Sequence, residues 1–320
     1  MNNQPGRSCP LHYRYDPRTF RRTNDFSCEV LYVVGGLYGN AQALETVVAM
    51  FDAENGNKRM LFNGDFNWFD IQPALFESIN TTVLGFDAIR GNVETELSSD
   101  LSDAGCGCGY PAWVEDIVVE RSNEIMARLR HTASGFPTLL SQILALPMTL
   151  RVDVGDARLA IVHGDAESLS GWGFAQEALS EASHAAQLSR WFESADVDGF
   201  VCSHTCLPVY ERIAMQDASP RFIANNGASG MPNFRADQQG LLTRIALTPY
   251  HGEHSRFSFK HGSLHVDALG IPYSQSKWQA QFLSQWEAES AAYRSYWERI
   301  SKGPNFEPHQ AFRATHLGAK

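Results

Sequence analysis

"EVLYVVGGLYGNAQALETVVAMF", residues 29–51, changes its periodicity half way along. Val30 to Val34 form a β-branched, apolar run that stops at Gly35-Gly36. Beyond the glycines, Leu44, Val47, Val48 and Phe51 recur at helical spacing. The segment therefore reads as strand, tight loop, helix. Two more short apolar runs follow, "RMLFNGD" (59–65) and "FDAIRGN" (86–92), one ending in Gly-Asp and the other in Gly-Asn. Strands alternating with helical patterns are the grammar of an α/β fold with parallel pairing.

Outward from this segment, the chain divides into three parts. Residues 1–28 are rich in Arg, Asn and aromatic residues without clear periodicity, and read as an N-terminal arm. Residues 29–272 form the main domain. Within it, 95–145 read as a helical insertion whose segment "WVEDIVVERSNEIMARL" places Val114, Ile117, Val118, Ile125 and Leu129 on one stripe. "TLRVDVGDARLAIVHGD" (149–165) reads as a hairpin around Gly155-Asp156. Residues 174–196 read as a helix and "DGFVCSH" (198–204) as a buried strand. Runs at 209–214, 220–225, 240–247, 255–260 and 263–269 resemble an antiparallel sheet. Residues 273–320 are a C-terminal helix and tail. Trp278, Phe282, Trp286, Tyr293, Trp297 and Ile300 share one helix face there, a docking face for the core or for a second subunit, so a homo-oligomer is one expectation.

The chain has 320 residues, 43% of them hydrophobic, enough for a full core. A formal net charge of -10 gives no sign of the basic face that nucleic-acid binding needs. Five arginines in the first 22 residues (Arg7, Arg14, Arg18, Arg21, Arg22) read as the solvated or docked face of the arm. No N-terminal apolar core of a signal peptide and no membrane-length apolar run occurs, so the expectation is a cytoplasmic protein without a membrane partner. Its six cysteines (Cys9, Cys28, Cys106, Cys108, Cys202, Cys206) are then reduced thiols rather than a disulfide scaffold.

Polar residues gather where the apolar strands stop: Gly64-Asp65, Gly91-Asn92, His163-Gly164-Asp165 and Ser203-His204. In an α/β sheet the carboxyl ends of the strands face a common crevice. A Gly-Asp after a strand is usually only a turn, and a lone strand-end His is usually structural. Taken together, an Asp, an Asn and two His from four strand ends make an oxygen and nitrogen ligand set suited to Zn, Mn or Fe.

The order of these motifs resembles the calcineurin-like metallophosphoesterase superfamily, in particular its small bacterial phosphodiesterase-type members. "VVGGLYGNAQALE" (33–45), "FNGDFNWFD" (62–70), "AIRGNVE" (88–94), "AIVHGD" (160–165) and "VCSHTCLPV" (201–209) resemble the five motifs in turn, and "FIANNGASGMP" (222–232) the turn that follows them. The resemblance covers about residues 29–270. It implies a four-layer α/β/β/α sandwich of two mixed sheets flanked by helices. It also implies hydrolysis of a phosphomonoester or phosphodiester by a metal-bound hydroxide.

Position by position, one metal site of the superfamily maps onto Asp65, Asn92, His163 and His204, all present. The other is stripped: its first motif offers Gly36 and Tyr38, and its last His is Cys206. The His that follows Gly-Asn in the superfamily is Val93 here. The expected cofactor is thus a divalent transition metal (Mn, Zn or Fe), one per chain rather than two, acting on a small phosphorylated substrate. With one ion, Arg90 is expected to supply positive charge to the phosphate, Tyr38 a hydrogen bond or an oxygen ligand, and Glu94 the missing proton transfer, beside Asn92. Cys206, together with Cys106 and Cys108 of "AGCGCGYP" (104–111), is a candidate thiolate ligand; two unrelated thiols in a glycine-rich loop fit the same spacing. Two other functions stay open: a non-catalytic relative that binds a metal or a phosphorylated ligand, and an enzyme with a cysteine-containing metal centre and a different reaction.

Overall fold

The computed structural model describes residues 4–7, 10–98, 104–215 and 219–313. Cys9 lies outside them. Two six-stranded mixed sheets face each other. In the first, β2 (Val30–Val34), β3 (Lys58–Asn63) and β4 (Asp87–Ile89) run parallel. Helices α1 (Ala41–Ala53) and α2 (Pro73–Val83) make the crossovers between them. β10 (Gly240–Ala246) joins β2 antiparallel, and β12 (Leu264–Ile271) and β11 (Ser255–His261) extend that edge. The second sheet has the order β1-β5-β6-β7-β9-β8, from β1 (Phe26–Cys28), β5 (Thr149–Val154), β6 (Ala157–Val162), β7 (Gly199–Cys202), β9 (Arg221–Asn225) and β8 (Val209–Ile213). β6, β7 and β9 are parallel, and β8 is antiparallel to β9.

Side-chain alternation assigns the layers. On β2, Leu31 and Val33 face inward and meet Val152, Leu159, Ile161 and Val201 of the opposite sheet in the inter-sheet core. Val30, Tyr32 and Val34 point the other way, under α1 and α2 and under α4 (Asp116–Ala133), α5 (Pro137–Leu144), α8 (Gln275–Leu283) and α9 (Ala291–Lys302). Every residue of β2 is buried, as expected of a strand covered on both faces. Phe20, Phe174, Leu188, Trp191, Phe192 and Phe200 fill the outer face of the second sheet beneath α7 (Ala185–Ala195). Short helices α3 (Asn92–Thr95), α6 (Gln176–Leu179) and α10 (Pro308–Ala311) complete the order. The expected four layers, helices, sheet, sheet, helices, are present.

Several local expectations shift. The five late strand runs are not one antiparallel sheet: β8 and β9 belong to the second sheet and β10 to β12 to the first. The helix expected over 174–196 is broken into α6, a 3-10 turn at Ala182–His184 and α7. The stripe on α4 keeps Ile125 and Leu129 but differs from expectation in its first turns. The helix opens at Asp116, so Val119, Ser122, Ile125, Met126 and Leu129 turn inward and Ile117 stays exposed. The last helix is two, because Ser290 caps α9 with its hydroxyl on the Tyr293 amide. Trp278, Phe282 and Trp286 are fully buried against Phe69, whose carbonyl accepts the Trp286 indole N–H at 2.9 Å. Those three rings are spent on the chain's own core, against which Tyr293 and Trp297 pack half-buried. The end of the N-terminal segment is an edge strand: Phe26 to Cys28 pair in parallel with Val152 to Val154, and Tyr13 and Phe20 are fully buried.

Candidate metal site

Parallel strands of both sheets end on one side of the sandwich, and their loops carry the site. Tyr38 follows β2, Asp65 follows β3, Asn92 opens α3 after β4, His163 follows β6, and His204 and Cys206 follow β7. The turns are tight. Gly64 has a φ of +75°, and a Cβ on it would stand 2.6 Å from His163 Nδ1; one on Gly91 would stand 2.3 Å from Asp65 Oδ1. Only glycine lets these loops close on each other. Asp65, Tyr38 and Cys206 themselves have positive φ, at 51°, 55° and 61°. Three of the described non-glycine residues in this costly region thus line one cavity.

Four lone-pair atoms converge there. His163 Nε2 is 3.3 Å from Asp65 Oδ1, 3.2 Å from Asn92 Oδ1 and 3.2 Å from His204 Nδ1. Main-chain carbonyls fix the outward nitrogens. His163 Nδ1–H donates to Asn63 O at 2.9 Å, and His204 Nε2–H to Cys108 O at 3.0 Å. Since a carbonyl can only accept, each neutral ring presents a bare nitrogen inward. Asn92 Nδ2 donates to Cys106 O at 2.9 Å, which turns its oxygen inward as well. With both rings neutral these buried acceptors repel one another unless a cation joins them, a divalent ion or a proton on His163. Ligands about 2.1 Å from one tetrahedral ion stand about 3.4 Å apart, close to the spacings found. The residues present fit a divalent ion. Among the described residues Asp65, His163 and His204 form the one such His, Cys, Asp and Glu group.

The charges are mutually tuned. Burial works against the Asp65 carboxylate, but His163 and His204 hold it below the usual range. Burial likewise disfavours a charged His163, and the Asp65 carboxylate outweighs it and raises that ring. Burial, with His163 alongside, pushes His204 down to about 3, so its nitrogen is free to ligate.

The remaining expected residues divide. Tyr38 and Cys206 occupy the stripped half of the site and pair with each other, phenol oxygen to sulfur, at 2.8 Å. Arg90 lies outside the cavity and donates to Leu144 O at the end of α5, because Gly91 turns the chain inward only after it. Glu94 is fully buried and accepts from the amides of Asp65 (2.7 Å), Gly91 (2.9 Å) and Asn67 (3.2 Å). It clamps the Asp65 loop instead of facing the cavity. The Cys106 thiol packs in the apolar core, while Cys108 lines the cavity.

Residues that the sequence reading passed over shape the mouth. Trp68, Tyr110, Trp172 and Tyr296 wall a cavity of about 40 Å3, room for an ion and a few waters at most. Trp172 sits edge-on to His204, its indole N–H on Cys108 O at 3.0 Å. The Cys108 carbonyl thus holds both a candidate ligand and the lid above it. The glycines of 105–109 were the available signal: Gly105, Gly107 and Gly109 all adopt positive φ, and the carbonyls between them turn inward.

No protein-family model matches the sequence, and no curated protein does. Solved structures do. A metallophosphoesterase from Sphaerobacter thermophilus is 18% identical and superposes with a TM-score of 0.54 over 86% of this chain and 100% of its own. A hypothetical protein from Pyrococcus horikoshii OT3 is 11% identical, with a TM-score of 0.56 over 87% of this chain and 99% of its own. With two mixed sheets, flanking helices and ligands at the strand ends, the chain has the fold of the calcineurin-like metallophosphoesterases.

Proposed function

We propose that the protein is a metal-dependent phosphoester hydrolase that works with a single divalent ion. The observation that carries this reading is the inward convergence of Asp65 Oδ1, Asn92 Oδ1, His163 Nε2 and His204 Nδ1, with both imidazoles locked from behind by carbonyls. A divalent ion held by Asp65, Asn92, His163 and His204 would supply Lewis-acid polarisation of a phosphoryl oxygen and, as zinc, would lower the pKa of a bound water to about 7. The chain supplies the rest. Glu94 fixes the Asp65 loop through three amides, Asn63 and Cys108 fix the imidazoles, and Trp172 excludes water above His204. Tyr38 and Cys206 fill the place of a second ion and both line the cavity, the phenol against the Cys206 sulfur and the thiol on His204 O. With Arg90 and Glu94 directed elsewhere, that pair is the chain's own means of contacting a phosphate.

Elemental analysis of protein purified without added metal tests this reading. The expected result is close to one Zn, Mn or Fe per chain, absent from His163→Ala and His204→Ala, with turnover on a phosphomonoester and phosphodiester panel that disappears in Asp65→Asn. Turnover that survives both histidine substitutions would refute the assignment.

The size of the cavity favours a second reading. About 40 Å3 under Trp172, Tyr110 and Tyr296 admits no phosphoester unless those rings move. A non-catalytic protein that holds its ion permanently fits this geometry. It gives the same metal content with no turnover on the panel.

A further inference from the structure

On the outer face of the second sheet, a groove of about 650 Å3 runs between residues 14–18 and α7. This is the size of a small-molecule site. Arg14, Arg18 and Arg190 line it, as do Tyr15 and Trp191. In a chain of formal charge -10, three guanidiniums around one groove are a local reversal of sign. Two carboxylates share the lining, Asp16 and Glu167, and Asp16 is already bound by Arg18 Nε at 3.0 Å. Among the described residues, Arg190 holds only the neutral Gln187 side chain, at 2.6 Å. The Arg14 guanidinium has no hydrogen bond or ion pair among the described residues.

Two further features suit an anion. The last carbonyls of α7 carry the negative end of the helix dipole, which repels one. Arg21 covers them, donating to Glu193 O at 2.8 Å and Ser194 O at 2.7 Å. Trp191 lines the groove and is almost fully buried, and its indole N–H has no partner among the described residues. An unpaired buried donor is a standing cost.

We propose that this groove binds a small phosphate-bearing anion, its phosphate between Arg14 and Arg190 and its apolar part on Tyr15 and Trp191. Arginine forks match the geometry of phosphate oxygens and stay charged at any physiological pH. Through Tyr15 the groove also touches the loop behind the candidate metal site. The Tyr15 hydroxyl donates to Asp165 O at 2.6 Å, and the Asp165 carboxylate accepts the amide of Gly173, next to Trp172.

Titration calorimetry with inorganic pyrophosphate tests the proposal, with citrate as a phosphate-free anion of comparable charge. The proteins are wild type, Arg14→Ala, Arg190→Ala and His163→Ala, all treated with chelator. Both arginines are exposed, so their variants keep the melting temperature of the wild type. The expected result is saturable pyrophosphate binding that is unchanged in His163→Ala and at least tenfold weaker in each arginine variant, with citrate at least tenfold weaker than pyrophosphate. Equal binding by the arginine variants, loss of binding in His163→Ala, or citrate binding as tight as pyrophosphate overturns it.

Discussion

Gly107→Ala separates the main chain of the cysteine loop from its thiols. Gly107 has a φ of +66°, and a Cβ added there would lie 2.3 Å from Tyr13 Oη and 2.8 Å from Glu96 Cγ. Neither neighbour can retreat. Tyr13 is fully buried with its hydroxyl on Glu96, and Glu96 is held by Arg130 at 3.2 Å. The left-handed backbone alone costs an alanine about 1–2 kcal/mol. The overlap adds to this and is relieved by moving the loop. That withdraws Cys106 O from Asn92 and Cys108 O from His204, the two contacts that aim those ligands. Losing such supporting contacts costs roughly 10–100-fold in metal affinity, or about 1.4–2.7 kcal/mol. Competition against a chromophoric chelator measures it, with circular dichroism to confirm the fold. Cys106→Ser and Cys108→Ser keep every carbonyl in place and are expected to stay within about threefold of wild type, well short of the supporting-shell loss. If Gly107→Ala binds metal as wild type does, or Cys108→Ser costs as much, the thiols hold the ion and the reasoning fails.

Other consequences are as open to measurement. Asp70 is fully buried, with one oxygen on the Trp68 amide and the other without a partner among the described residues, and burial raises its carboxyl to about 7. The folded state therefore holds that proton more tightly than the unfolded chain, and stability falls as pH rises from about 4 to about 7. Asp70→Asn removes this dependence: between pH 5 and pH 8 the variant loses roughly 2–3 kcal/mol less than wild type in urea titrations, and parallel curves would contradict it. Trp278→Ala opens a void beside Phe69 and Phe282 and lowers stability by about 3–5 kcal/mol; a loss under 1 kcal/mol means that the C-terminal helices are not part of the core. Tyr38→Phe deletes the hydroxyl opposite Cys206 but keeps the ring, so metal content is expected to stay the same while any phosphoester turnover falls by about tenfold, the scale of one lost hydrogen bond to a charged group. A halved metal content identifies Tyr38 as a ligand instead.

The readable and unreadable parts of this chain follow from how far apart the interacting residues are. Strand β2, the 149–162 hairpin and the strand-end Asp65, Asn92, His163 and His204 are written in local pattern: a β-branched run, an alternation around Gly155-Asp156, a glycine where the backbone must turn. Arg90 and Glu94 show the limit. Both flank Asn92, and sequence proximity made both candidates, yet a single turn at Gly91 directs one to α5 and the other under the Asp65 loop. Ile117 on α4 shows the same limit for helices: Ile125 and Leu129 face the core as the periodicity implies, while in the first turn Val119 is buried and Ile117 is not. Trp172 and Tyr296 reach the cavity from segments more than one hundred residues apart, which no local periodicity encodes.

The glycine-cysteine loop joins these threads. Its composition drew attention to two thiols, because cysteine is the residue type with metal chemistry. Burial raises the Cys108 thiol above its ordinary pKa, with the neighbouring Cys106 adding to the effect, and its S–H points at Cys106 O, 3.6 Å away. The alternating glycines have a different consequence. Each left-handed residue reverses the direction of the next peptide, and the carbonyls of Cys106 and Cys108 end up facing Asn92, His204 and Trp172. One five-residue loop thereby orients two of the four candidate ligands and anchors the ring that covers them. Small, buried side chains at 106 and 108 allow the loop to sit that close. On this logic the cysteines matter for their size and the glycines for their conformation, and serine or alanine at both positions leaves the site assembled while alanine at 107 does not.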